Sequence, residues 1–375
     1  MGDEMKISID ARGINLYNGT GIGTYTENVL RELLNLDKEN DYSLFWCGEN
    51  YDNFKKQNSN IIFAPKKHGG FYEGNYIPNY LQDNNIALHH IPQNGIGYNE
   101  NYLTNCIVTI HDLIPYIMPE TVGPGYLKRF LKDMPNIISN SAGILTVSEY
   151  SKQDIIKFFN YPKEKIFVTP LAANDIYKPL DKNECKKLCK EKYNIDGPFI
   201  LYLGGFSKRK NIQNLILAFN KINSSLKIPH KLVIVGSPRD EGLKIKEMAL
   251  NSKEGSNTIF PGFVETEFLP ILYNACEVFA YPSLYEGFGL PPLEAMKCKT
   301  AVITSNITSI PEVTGDNAML IDPNNLTDFE EKLFNILDNE TLKIKLQNDG
   351  YNHSLNFSWK HTAKLTLDAY NTITN

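Results

Sequence analysis

Short β-branched and aromatic runs alternate with amphipathic segments along this chain of 375 residues, and the alternation starts over once. KISID (6–10), YSLFWC (42–47), NIIFA (60–64), IALHHI (86–91), NCIVTIHD (105–112), GILTVS (143–148) and IFVTPLA (166–172) read as strands. TYTENVLRELLNL (24–36) reads as a helix with Val29, Leu30, Leu33 and Leu34 on one side. Near-continuous apolar strands suit a parallel sheet covered on both faces. The irregular stretch TPLAANDIYKPLDKNE, with two prolines, reads as a linker. PFILYLGG (198–205), NIQNLILAFNKI (211–222) and HKLVIVG (230–236) then open a second series, which continues through TIFPGF, VFAYPS, TAVITS and AMLID with helices between. Strand–helix alternation of this kind builds βαβ units. The expected fold is α/β: two Rossmann-like domains with parallel sheets, 1–172 and 173–356, facing across a cleft. A last helix, about 357–375, is expected to return to the first domain. Ligands of open α/β sheets sit outside the carboxyl ends of the strands, so the chemistry belongs at the strand-to-helix turns.

Charge and cysteine usage narrow the function. The net charge of −5 leaves neither half a basic module, which disfavours nucleic acid as a partner. Cys47, Cys106, Cys276 and Cys298 lie in or beside apolar runs, and Cys185 and Cys189 share a helical face with no flanking His or second Cys pair. All six read as structural thiols rather than metal ligands or a disulfide framework. MGDEMKISID has no apolar signal core, and no run approaches the roughly 18 apolar residues of a membrane span. The chain therefore reads as soluble and cytoplasmic. GYLKRFLKDMPNIIS (125–139) carries Leu127, Phe130, Leu131 and Met134 at helical spacing beside Lys128, Arg129 and Lys132. It reads either as an ordinary amphipathic helix on its own sheet or as a peripheral contact with the inner membrane surface.

Four turns carry residues suited to chemistry. LYNGTGIGTYT places Gly19, Gly21 and Gly23 between a strand and a helix, either as a plain loop or as a site where amides approach an anion. TIHDL ends an apolar strand in His111 and Asp112. There a ring exposed at the sheet edge can bind a sugar hydroxyl or relay a proton, and the alternative is a pair that caps loop backbone. His89 and His90 sit within a strand, where structure is the leading reading. YLGGFSKRKNIQNL sets Lys208, Arg209 and Lys210 just before a helix. Cations disfavour a helix N-terminus, so this basic turn asks for an anionic ligand such as a diphosphate.

The fourth turn is PSLYEGFGLPPLEAMKC (282–298), where Glu286 and Glu294 bracket two glycines and two prolines. Pro291 and Pro292 fit the first helical turn and have no N–H, so the free donors belong to Phe288, Gly289 and Leu290. Two carboxylates on one loop and helix can each accept from vicinal hydroxyls of a ribose or hexose. The plainer reading of Glu294 is a partner for the helix dipole.

EGFGLPPLEAM, together with the Gly-rich first turn, the HD pair, TVSEYS, KRKN and SITSIPEVTGDNAMLIDP, resembles the retaining glycosyltransferase family 4 of GT-B fold over nearly the whole chain. DARGIN, GTGIGTYT and LGG…KRKN are similar to its mannosyltransferase-B-like branch, whose members build bacterial O-antigen and similar polysaccharides. The resemblance implies that Glu294 holds the donor's ribose hydroxyls and Glu286 the hydroxyls of the transferred sugar. Arg209, Lys210 and the amides of Gly289 and Leu290 would hold the diphosphate. The resemblance puts the domain 1–172 on the acceptor side and makes 173–356 the nucleotide-sugar-binding domain; His111, with Asp112, would lie over the reacting sugar, and Gly19–Gly23 near the phosphates and acceptor. Donor base readout would fall to loops such as Gly262–Val264. One departure stands out: many members carry Arg directly after the strand-end glycine, where this chain has Gly205.

The expected enzyme transfers a hexose, foremost mannose from GDP-mannose, onto a glycan or lipid-linked saccharide. It needs no cofactor and no metal, since Arg209, Lys210 and helix-end amides can stabilise the leaving diphosphate and no D-x-D pair occurs. dTDP-rhamnose and UDP-hexoses are alternative donors. A nucleotide-sugar epimerase, recognised by product formed without an acceptor, and a non-catalytic sugar-binding protein, which would need a signal peptide, are the alternatives of another kind. A glycogen-synthase-like or phosphorylase-like enzyme would share the fold, the phosphorylase needing a cofactor lysine and a longer chain.

Overall fold

A computed structural model describes residues 4–374. The chain divides into two compact units. One holds Pro119 and the residues before it, Gly123–Ala172 and the chain from Ser358 onward; the other holds Glu120–Val122 and Ala173–Phe357.

Seven strands form the first sheet: β1 (Lys6–Asp10), β2 (Asp41–Trp46), β3 (Ser59–Phe63), β4 (Leu88–Ile91), β5 (Asn105–Ile110), β6 (Gly143–Thr146) and β7 (Ile166–Val168). All pairings are parallel, in the order β3-β2-β1-β4-β5-β6-β7. β4 and β6 are buried along their whole length, as strands covered on both faces must be. The order reverses between β1 and β4, so the loops after these two strands run to opposite sides and leave a crevice at their carboxyl ends.

The second sheet repeats the plan with β8 (Phe199–Leu203), β9 (Lys231–Val235), β10 (Thr258–Gly262), β11 (Val278–Tyr281), β12 (Ala301–Ser305) and β13 (Met319–Ile321). These pair in parallel in the order β10-β9-β8-β11-β12-β13, with the reversal between β8 and β11. The linker ends where Asp181 caps the helix Lys182–Tyr193 by accepting from the Glu184 N–H.

The helix Trp359–Thr374 belongs to the first unit. Its fully buried Tyr370 hydroxyl lies 2.6 Å from His90 Nδ1, its Thr362 Oγ1 donates to the Pro170 carbonyl at 2.6 Å, and Trp359 meets Tyr25 edge-on. In the helix Pro124–Asn140 the apolar stripe faces the core: Phe130 and Met134 are buried with Val108 and Ile144, while Leu131 is exposed. Most of the apolar face that could have met a membrane is thus committed to the protein's own sheet. Among the described residues no helix is long and apolar enough to cross a membrane.

Candidate functional site

The reversal between β8 and β11 brings the two most chemical turns of the second unit together. After β8 the chain passes Gly204 and Gly205 into a single 3₁₀ turn, Lys208–Lys210, and Asn211 in the left-handed region separates that turn from the helix Ile212–Ile222. After β11 it runs through Pro282 to Glu286. The turns are stitched by the Leu284 N–H, which donates to the Arg209 carbonyl at 2.7 Å.

One oxygen of Glu286 is the focus. Oε1 accepts from Lys210 Nζ at 2.6 Å, Arg209 Nη1 at 2.9 Å, Tyr281 OH at 3.0 Å and Ser283 Oγ at 2.5 Å. Lys210 also donates to the Tyr281 hydroxyl, and Arg209 to the Tyr285 carbonyl. Glu286 and Lys210 are buried. Burial alone would raise the carboxyl's pKa, but Lys210 and Arg209 outweigh it and hold it down to about 2. The basic turn therefore has an internal counter-charge, and two cations share one carboxylate. The sequence reading that the cations demand an external anion is corrected to this extent: part of that demand is met within the fold.

Glu294 lies in a second network. The helix Leu290–Lys297 begins after Gly289, whose φ of +113° permits the turn, and carries Glu294 buried in its second turn. Glu294 Oε2 accepts from the Tyr273 hydroxyl at 3.0 Å, and the Tyr177 hydroxyl, from the linker, bonds to the same carboxyl. Burial raises its pKa to about 7, against the pull of the two tyrosines. Two carboxylates that read alike in sequence thus hold different protonation states near neutral pH, split by the presence or absence of cations. The loop between them is fixed by Ser309 Oγ, whose one proton is shared between the carbonyls of Glu286 and Phe288 at 2.9 and 2.8 Å.

Other expected positions fall differently. His111 was expected to offer an exposed ring; it is buried, packs edge-on against Tyr25, and donates from Nε2 to the Pro92 carbonyl at 2.8 Å. Burial lowers its pKa to about 4, so the ring is neutral and its other nitrogen is an acceptor. Asp112 caps the turn, accepting the Ile114 N–H at 3.0 Å. Both His89 and His90 are buried inside the sheet. The Gly-rich turn is shorter than expected, because the helix Gly21–Leu36 already begins at Gly21. Only Gly19 has positive φ, and Gly23 is required because a Cβ there would meet the Tyr17 carbonyl oxygen at 2.3 Å. Gly205 is exposed with open space where a side chain would stand. Val264 is buried beside an exposed Phe263. All six cysteines are buried free thiols.

Sequence reasoning missed Tyr281 and Ser283, which precede Glu286 by five and three residues, and Tyr273 and Tyr177 around Glu294. The first pair is local and a buried carboxylate's need for donors could have found it. Nothing local points to the second.

The family described as glycosyl transferases group 1 matches residues 186–353. O-antigen chain mannosyltransferase B of Escherichia coli is 31% identical over 291 residues, covering 77% of this chain and 75% of that protein. The serotype-specific mannosyltransferase WbdA, also of Escherichia coli, is 32% identical over 269 residues, 70% of this chain but only 33% of that protein. The crystal structure of Anabaena HepE in complex with UDP and glucose has a TM-score of 0.76 and 15% identity, covering 98% of this chain and 100% of HepE. This chain belongs to the glycosyl transferases of group 1, transferases of GT-B fold, in the branch that includes the O-antigen mannosyltransferases.

Proposed function

We propose that this glycosyltransferase moves mannose from GDP-mannose onto a hydroxyl of a glycan or lipid-linked saccharide during assembly of a bacterial surface polysaccharide. Transfer proceeds with retention at the anomeric carbon and without a metal ion. The observation that carries the reading is the Glu286 network, in which Arg209 and Lys210 converge on one carboxylate oxygen and leave the turn with a net positive charge. Negative charge develops on a diphosphate as the glycosidic bond breaks, and cations already fixed in a buried turn stabilise it without reorganising. The amides of Gly289 and Leu290 add to that grip. The mannosyltransferase names of the relatives support the sugar.

Glu286 in this reading receives hydroxyls of the transferred sugar, and Glu294 receives those of the ribose. A covalent route needs a carboxylate free to attack the anomeric carbon. Four donors converge on Glu286 Oε1, which ties that oxygen down against attack, argues for same-face attack with the departing phosphate as base, and leaves Oε2 to receive a sugar hydroxyl. His111, neutral and anchored to Pro92, supplies an acceptor for a sugar hydroxyl rather than a proton.

A thermal-shift panel of GDP-mannose, dTDP-rhamnose and UDP-glucose tests the donor: GDP-mannose should raise the melting temperature most. The product's anomeric coupling reads the stereochemistry, and turnover should survive EDTA. Glu286→Gln should lower kcat by about 10²-fold with nucleotide affinity nearly unchanged. Near-normal turnover in that variant would remove the role given to Glu286.

A further inference from the structure

The grip on a leaving diphosphate proposed above needs the Lys210 ammonium in one place. A compact charge on a flexible four-carbon stem does not stay in one place unaided, because its attraction to a carboxylate has little directional preference. Arg209 also competes for the same oxygen of Glu286, with Nη1 at 2.9 Å against 2.6 Å for Lys210 Nζ. Charge alone therefore does not fix where Lys210 points.

Tyr281, the last residue of β11, supplies what charge lacks. Its hydroxyl accepts from Lys210 Nζ at 2.5 Å and donates to Glu286 Oε1 at 3.0 Å, so it touches both members of the ion pair. Burial and the Glu286 charge push the phenol's pKa well up, so its single proton stays and serves the carboxylate while a lone pair meets the ammonium.

The phenol is itself locked. Tyr281 is 1% exposed, and its ring lies nearly parallel to those of Tyr202 and Phe279, at centroid distances of 6.3 and 5.9 Å. Thr304 Oγ1 donates to the Tyr281 carbonyl at 2.8 Å and ties its backbone to β12. A group whose rotamer is closed by packing can hold a mobile one to a fixed geometry. The same rings hold the other end of the basic turn. Tyr202 OH donates to the Gly205 carbonyl at 2.8 Å, and Gly204 has to be glycine there, since an added Cβ would stand 2.9 Å from that hydroxyl. One ring stack thus fixes the loop where it leaves β8 and the ammonium where the turn ends.

We propose that Tyr281 is a positioning residue for Lys210: its hydroxyl aims the ammonium at the diphosphate that departs from the sugar. The inference rests on the transferase reading above and goes beyond it, because Tyr281 is buried and acts through Lys210.

A released nucleoside diphosphate carries more negative charge than the same group within the donor. An aimed cation therefore acts chiefly on the transition state and on the released product. Tyr281→Phe keeps the ring and loses the hydroxyl. With turnover followed as release of nucleoside diphosphate, kcat should fall about tenfold and donor KM stay nearly unchanged, the size expected for one hydrogen bond to a charged group. In calorimetric titration the variant should bind GDP about tenfold more weakly and GMP as well as the wild type does. UDP and UMP form the equivalent pair for a site that takes uracil. Lys210→Met removes the ammonium, so adding Tyr281→Phe to it should cost less than about twofold in kcat, whereas adding it to Glu294→Gln, in the other network, should cost the full factor. A merely structural hydroxyl would lower the melting temperature and leave the diphosphate-to-monophosphate ratio alone.

Unchanged kcat, equal weakening of diphosphate and monophosphate, full additivity on Lys210→Met, or a Tyr281→Phe chain that does not fold would each overturn the assignment. The two readings fail separately. A wild-type protein that prefers neither diphosphate to its monophosphate removes the diphosphate grip and Tyr281 with it, and a preference of equal size in wild type and Tyr281→Phe removes Tyr281 alone.

Discussion

Glu286 and Glu294 are eight positions apart on one turn and helix, yet their environments drive them in opposite directions. Glu286 faces Lys210 and Arg209 and stays ionised down to about pH 2, so the cation grip should be insensitive to pH across the working range. Glu294 faces only the hydroxyls of Tyr273 and Tyr177 and keeps its proton up to about pH 7. In the unfolded chain it titrates near 4.5, so between about 4.5 and 7 the folded state binds more protons, and stability falls as pH rises through that window. Glutamine at this position escapes the loss. Glu294→Gln should therefore be more stable than the wild type at pH 8 without ligand, by about 3 kcal/mol, and match it below pH 4.5. The same variant should weaken donor binding at pH 8. If Glu294 meets the ribose as a carboxylate, donor KM in the wild-type enzyme should rise as pH drops below about 7, with kcat little changed. A flat KM profile from pH 5 to 8 would count against that contact.

At the scale of elements, the site depends on how a turn leaves a strand. The helix Leu290–Lys297 can follow β11 so closely because Gly289 takes φ +113° and lies against Ile310, whose Cδ1 would be 2.6 Å from an added Cβ. Gly289→Ala combines backbone strain with a side-chain clash. It should lower stability by about 2 kcal/mol in denaturant titration and reduce nucleotide-sugar affinity through displacement of the Leu290 amide. A substitution at Gly205, open and exposed, should do neither. The Glu286 pair behaves differently: Glu286→Leu leaves Lys210 and Arg209 without their counter-charge in a buried turn and should cost about 3–5 kcal/mol, more than Glu286→Gln, which keeps an acceptor for both. Equal melting temperatures for the two variants would show that the network is not held by charge.

For the whole molecule, the helix Trp359–Thr374 follows the second unit in the chain yet belongs to the first. Deleting it exposes Tyr25, His90 and the buried face of the helix Gly21–Leu36. Hydrogen exchange should then accelerate in that helix and in β7 while β8–β13 keep their protection; uniform acceleration in both units would refute this independence. The alternation of apolar runs, the linker and the restart made two parallel-sheet units legible in the chain, because covering both faces of a sheet imposes composition residue by residue. EGFGLPPLEAM and KRKN were legible for a similar reason: helix starts, missing proline amides and misplaced charge are local properties. What the chain did not display is strand order. Only the tertiary structure makes β8 and β11 neighbours, and this adjacency joins Arg209 and Lys210 to Glu286. His111 was misjudged for the same reason. A ring at a strand's end is exposed or buried according to what packs over it, and Tyr25 and the Pro92 carbonyl come from elsewhere in the sequence. The protonation states of the two glutamates belong to this second class too, since a pKa is fixed by neighbours in space.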